Sequence, residues 1–103
     1  MAALIYSTIG NIDDARRISN ILIEEHMVAC VNIIPKIESV YWWQGKIENS
    51  EEVLIIAKTV DKNVKKVIQK IKSLHTYELP DIIVLKIIDG LKDYLDYISY
   101  QTA

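Results

Sequence analysis

Residues 29 to 60 read as two extended runs, ACVNIIPKIESVYWW and KIENSEEVLIIAKTV, separated by Gln44 and Gly45. Both runs are rich in β-branched and aromatic residues, and a Gln-Gly pair between them suits a tight turn, so the pattern is a long β-hairpin. Its length constrains the fold more than any other feature. At about 3.3 Å per residue an extended strand over positions 29 to 44 would reach about 50 Å. A domain of about 100 residues has a radius of gyration near 13 Å, so such a strand cannot stay within the body of the molecule. Two outcomes are open. Pro35, which has no N–H for a ladder and favours edges and bulges, bends the strand, or the Tyr41-Trp42-Trp43 tip projects as an arm. Aromatics exposed on an arm call for a partner surface.

The flanking segments supply the rest of a domain. ALIYSTI, positions 3 to 9, is strand-like and stops at Gly10. Asn11 then caps a helix, with Asp14 three residues on near the positive end of its dipole. That helix is predicted to run to about Met27, with Ala15, Ile18, Ile21, Leu22 and Val28 inward and Arg16, Arg17, Glu24 and Glu25 in solvent. Asp61 is the expected cap of a second helix, on which Val64, Val67, Ile68, Ile71 and Leu74 keep the i, i+3, i+4 ladder and the lysines of KNVKKVIQKIK form a solvated face. DIIVLKIIDG, 81 to 90, is a strand, and LKDYLDYISYQ a short helix through Leu91, Tyr94, Leu95 and Ile98. The order βαββαβ plus an end helix predicts an α+β, ferredoxin-like fold over residues 1–103: an antiparallel sheet with two helices on one face, one long extended hairpin and a short C-terminal helix. One misfit remains. VLIIA (53 to 57) and IIVLKII (82 to 88) are apolar at both odd and even positions, so the sheet's second face also needs cover. Each aliphatic side chain removed from water is worth about 1.5–3 kcal/mol, and the end helix is too small to cover them all. The expectation is an obligate homo-oligomer.

Charge and cysteine use narrow the partners. Twelve basic against fourteen acidic residues give a net charge of −2, with no overall pull toward nucleic acid or anionic lipid. No apolar run approaches the roughly 20 residues that span a bilayer, and MAALIYSTIG lacks the features of a signal peptide. A lone cysteine, Cys30, agrees with a reducing compartment, so the expected location is cytoplasmic. An RNA-binding module of this strand order carries stacking aromatics on its third strand, and EEVLIIAKT has none. No nucleophile with an adjacent base, carboxylate pair or phosphate loop stands out, and Gly10, Gly45 and Gly90 are scattered. Catalysis is not expected.

ACVNIIP (29 to 35), SVYWWQGKIE (39 to 48), EEVLIIAKT (51 to 59) and HTYELPDI (75 to 82) closely resemble, in order, the signature segments of the CutA family, the divalent-cation tolerance proteins. The resemblance implies a ferredoxin-like fold, a tight homotrimer docked through strand faces and the Tyr41 to Trp43 arm, an association with copper tolerance, and proposed Cu(II) binding. It also implies that the matched aromatic segment, Lys58 and the His75 to Glu78 segment gather near a cleft between subunits. The need for a partner came from the residues; the number three comes from the resemblance.

The candidate metal ligands are His75, Glu78 and Cys30. Imidazole suits late first-row metals, and copper outcompetes other divalent ions at most nitrogen and oxygen sites. One histidine is nevertheless not a site, because tight sites use three or four ligands and no CxxC or HxxxH spacing is present. Further ligands would have to cross a subunit boundary. The alternative is that His75 bonds a backbone carbonyl or carboxylate and helps to stop its helix. Cys30 is either a buried thiol, on one face with Asn32 and Ile34, or a Cu(I) ligand. His26, near a helix end, reads as a solvated or dipole-compensating side chain. Thr76 stands where many relatives have proline, Asp81 where they have glutamate, and Ser7 and Leu74 where some carry a cysteine and a second histidine. If Gln44-Gly45 is a tight turn, Tyr41 lies opposite Glu48 and Trp43 opposite Lys46. Tyr41, Trp43, Lys46 and Glu48, with Lys58 and Tyr77 added by the resemblance, are the candidate ligand pocket. Two functions stay open: a non-catalytic, homotrimeric metal-tolerance protein with copper as its ion, or a trimeric sensor of a small anionic metabolite.

Overall fold

Alternation along the first strand decides the layering. In the computed structural model, which describes residues 1–103, β1 (Ala2–Ile9) turns Ile5, Ser7 and Ile9 to one face and Leu4, Tyr6 and Thr8 to the other. The first set is sealed under two helices, α1 (Ile12–Glu24) and α2 (Val64–Leu74), with Ile18, Leu22, Val67 and Ile71 fully buried against Ile55 and Ala57. The strands run antiparallel in the order β2-β3-β1-β4, with β2 spanning Cys30–Trp43, β3 Lys46–Val60 and β4 Ile82–Lys86. This is the expected ferredoxin-like α+β arrangement, closed by α3 (Lys92–Gln101). No helix is long and apolar enough to cross a membrane.

Both outcomes foreseen for the hairpin occur together. The β2–β3 register shifts between Ile34 and Ile37, on either side of Pro35, and then continues to a projecting tip with Tyr41 opposite Glu48 and Trp43 opposite Lys46. Gln44 (φ 51°) and Gly45 (φ 79°) are both left-handed, the conformation whose twist matches a two-residue hairpin turn. The arm gives the molecule extents of 44 × 26 × 22 Å.

Three boundaries differ from expectation, each for a local reason. α1 stops at Glu24 rather than Met27, because His26 (φ 55°) enters the left-handed region and the N–H groups of His26 and Met27 donate to Ile23 and Leu22. That is a Schellman closure without its usual glycine. Val28 is buried beyond the helix, and His26 Nδ1 lies 3.1 Å from the Gln101 carbonyl, tying α1 to the end of α3. Asp61 does not cap α2. It opens a 3-10 turn, Asp61–Asn63; its N–H donates to the Met1 carbonyl, and its carboxylate faces the terminal ammonium at 3.9 Å. β4 ends at Lys86, since its partner β1 runs out at Ala2.

The second face is the unsolved half of the core. α3 covers only one end of it, around Ala2, Ala29, Val60 and Ile98. Beyond that patch Leu4, Tyr6, Leu54 and Ile56 are half-buried, while Ile83 and Leu85 are 53% and 48% exposed.

Under the helices, the hydroxyls of Ser7 and Ser19 are buried without a hydrogen-bond partner. A buried orphan group carries a desolvation cost of about 1–3 kcal/mol. Ser7→Ala is therefore expected to raise stability by about 1 kcal/mol, read as a higher urea midpoint at unchanged slope. A lower midpoint would mean that the hydroxyl has a partner.

Candidate functional site

A glycine at the end of β1 makes room for the segment 75 to 81. A Cβ at Gly10 would come within 3.2 Å of Tyr77 Cε1 and 3.4 Å of its hydroxyl, so the phenol ring lies directly against the main chain there. The segment is pinned to β1 at both ends. His75 Nε2 lies 2.8 Å from the Thr8 carbonyl, and the Tyr77 N–H donates to His75 Nδ1 at 3.1 Å. An N–H must meet a lone pair, so Nδ1 is unprotonated and Nε2 carries the hydrogen that goes to Thr8. Asp81 Oδ1 accepts from both the Thr8 N–H (3.2 Å) and the Thr8 hydroxyl (2.6 Å). The Tyr77 hydroxyl in turn donates to Glu52 Oε2 at 2.6 Å. Burial, and then this bond to a carboxylate, push the Tyr77 hydroxyl well above its ordinary pKa.

This bracing forms one wall of a cleft of about 530 Å³ on the open face of the sheet. Tyr6 and Thr8 of β1, Tyr41 and Trp43 of the hairpin, and Tyr77 and Leu79 are among the residues that line it. Three acidic side chains, Glu52, Glu78 and Asp81, reach it; no lysine, arginine or histidine does. Glu52 is only 7% exposed.

The residues singled out by the sequence fall into three groups. Tyr41, Trp43, Tyr77 and Glu78 line this cleft. Lys46 and Glu48, the cross-strand partners of Trp43 and Tyr41, are exposed and do not line it. Lys58 and Cys30 are cross-strand neighbours elsewhere: Lys58 Nζ lies 3.2 Å from Asn32 Oδ1 and 3.3 Å from the Tyr94 hydroxyl, which is 3.4 Å from Cys30 Sγ. Partial burial works against the Lys58 charge, but the bond to Tyr94 and the nearby Cys30 outweigh it and raise its pKa. Lys58 pairs with Leu4, four residues from Thr8, so this cluster is about 13 Å along the sheet from the His75 brace. Thr8, Tyr6 and Glu52 were not foreseen as site residues. The available signal for Glu52 was an acid in register with the apolar stripe Leu54, Ile56 on an alternating strand.

The fold and the signature segments together match known proteins. A family model described as "CutA1 divalent ion tolerance protein" covers residues 3–101. The chain belongs to this CutA1 family. It is 36% identical over 103 residues to the divalent-cation tolerance protein CutA of Thermus thermophilus, covering all of both chains. It is 37% identical over 99 residues to Protein CutA 1, chloroplastic, of rice, where it spans 56% of the relative's length. The solved structure titled as the periplasmic divalent cation tolerance protein CutA of Archaeoglobus fulgidus superposes with a TM-score of 0.97 at 38% identity, covering 100% of both chains.

CutA1 membership raises the question of a metal, and within one chain the expected copper ligands do not fit it. Both ring nitrogens of His75 are engaged, the Cys30 thiol faces Tyr94, and Glu78 is exposed in the other cleft. No three His, Cys, Asp or Glu side chains converge in a way that could hold an ion.

Proposed function

We propose that this CutA1 chain serves divalent-cation tolerance as a non-catalytic, cytoplasmic homotrimer, with copper held only where chains meet. The observation that carries the reading is uncovered apolar surface on both sides of the sheet: Ile83 and Leu85 on the open face of edge strand β4, and Val40, Trp42 and Ile47 on the opposite side of the arm, are all 48% or more exposed. A surface of this kind favours association. The scattered copper candidates point the same way, since ligands remote within one chain need a neighbour to complete a set. The family resemblance supplies the number three, and the free Cys30 supports the compartment.

Light scattering at micromolar concentration is expected to give three times the 11.8 kDa chain mass, and Leu85→Lys, a charge placed on the exposed half of β4, to give one. Titration calorimetry is expected to show Cu(II) binding by wild type and by His75→Ala, and none by the dissociated Leu85→Lys variant. A monomeric wild type, or copper bound equally by the dissociated variant, would overturn the reading. A tenfold loss in His75→Ala would return the ligand role to His75.

The alternative of an anionic metabolite draws no support from the cleft. Within one chain its lining is acidic, which disfavours an anion, and Lys46 and Lys58 lie outside it.

A further inference from the structure

We propose that the outward side of α2 binds the phosphate backbone of a nucleic acid. This goes beyond the tolerance reading and does not depend on it. Lys62, Lys65, Lys66, Lys70 and Lys72 fall in a stretch that holds no acid between Asp61 and Glu78. The helix sorts them to one side. Val67 and Ile71 are fully buried against the sheet, so the lysines, with Gln69 among them, share the opposite side, turned away from the sheet and from the apolar surfaces where copies would meet. Lys62, Lys65, Lys66 and Lys72 are exposed, and only Lys70 meets a carboxylate, that of Glu25 at 3.1 Å. The arrangement works against the helix itself. Like charges four residues apart, Lys62 with Lys66 and Lys66 with Lys70, destabilise it. Lys65 and Lys66 also stand in its first turn, at the positive end of its dipole, with no acid there to offset them. A bound anion relieves both.

The surroundings single out the kind of anion. From Lys62 to Lys72 the run is about 15 Å long at about 1.5 Å per residue. One strand of a duplex presents a phosphate about every 3.4 Å, so the face runs beside about four phosphates, which matches its four free lysines. Gln69 adds a neutral donor of the type that settles a protein on phosphate oxygens. Protein interfaces are poor in lysine and rest on aromatic or aliphatic anchors, and this side of α2 has none. A helix that lies on a bilayer sinks an apolar face beside its basic one, whereas α2 has committed its apolar face to the core. The net charge of −2 belongs to the whole chain. At physiological salt a phosphate feels charges within about 8 Å, and at α2 these are chiefly lysines.

The test is fluorescence anisotropy with a labelled 20-base-pair DNA duplex, repeated from 25 to 200 mM salt. Binding is expected to weaken with salt at a log–log slope of about −3 or steeper, as release of counterions from about four phosphates requires. The pair Lys65→Gln with Lys72→Gln is expected to flatten that slope by about 2, and so is the independent pair Lys62→Gln with Lys66→Gln. Lys92→Gln, on α3, is expected to leave it unchanged. Thermal melts establish that the variants fold, which their exposed positions favour. No binding at 25 mM salt would overturn the proposal, as would a wild-type slope in both paired variants. Tighter binding to phosphatidylserine vesicles than to the duplex, at equal anionic charge, would also overturn it and assign the face to a membrane surface.

Discussion

Ile55→Ala is expected to remove about 3–5 kcal/mol of stability. Ile55 sits mid-strand on β3, with Ser7 of β1 on one side and Ile33 of β2 on the other, and is fully buried beneath the two long helices. Truncation there loses the transfer energy of three carbons and also leaves a void. Neighbours on two hydrogen-bonded strands cannot move in to fill it, because the ladders on both sides hold the backbone. Native domains are stable by about 5–15 kcal/mol, so the loss is a large share of the total. Urea unfolding measures it directly, as a lower midpoint with an unchanged slope. A loss below about 1 kcal/mol would show that the helix layer collapses onto the gap, and that the central strand is less rigidly held than its pairing indicates.

Tyr77→Phe comes second. The substitution keeps the ring that packs beside Gly10 but removes the only hydrogen bond to the buried Glu52 carboxyl, and bonds to charged groups contribute about 1.5–3 kcal/mol. The same pair sets an alkaline limit. Burial first, and the Glu52 contact second, oppose ionisation of Tyr77, so its folded pKa lies above the ordinary value of 10.0. A group whose pKa is raised by folding contributes fully below its unfolded value and loses that contribution as pH climbs through the folded one. Wild-type stability is therefore expected to fall above pH 10. Tyr77→Phe, with nothing to ionise at this position, starts lower and falls less steeply. Parallel pH profiles for the two proteins in urea would show that Tyr77 does not titrate in contact with Glu52.

The segment that carries His75 illustrates how far local residue types can be read. Its histidine, tyrosine and acids stand out on titratable chemistry alone, and copper ligation was a reasonable use for them. The fold gives them a different use. His75 spends both nitrogens on backbone groups, and Asp81 spends one oxygen on Thr8, 73 positions away. The Thr8 partner of both is not visible from the segment, because it depends on which strand the loop happens to cross. The pocket residues divide by the same logic. Tyr41 and Trp43 were legible because a hairpin register follows from its turn, a matter of a few adjacent residues. Lys58 lies outside the cleft of one chain because its position along β3 counts from the other end of the sheet.

Periodicity and turn chemistry thus determined the element order, the ferredoxin-like topology, the hairpin register and the presence of a surplus apolar face. Each of these is a local pattern repeated along the chain, and local patterns survive without coordinates. Tertiary structure alone decided where α1 stops, which carboxyl is buried, and that the cleft is acidic. Those depend on which remote atoms meet: a left-handed His26 closing onto Ile23 and Leu22, and a Glu52 on an otherwise apolar stripe brought under Tyr77 from 25 residues away. The energy of such a meeting belongs to the pair, and no single stretch of sequence contains it.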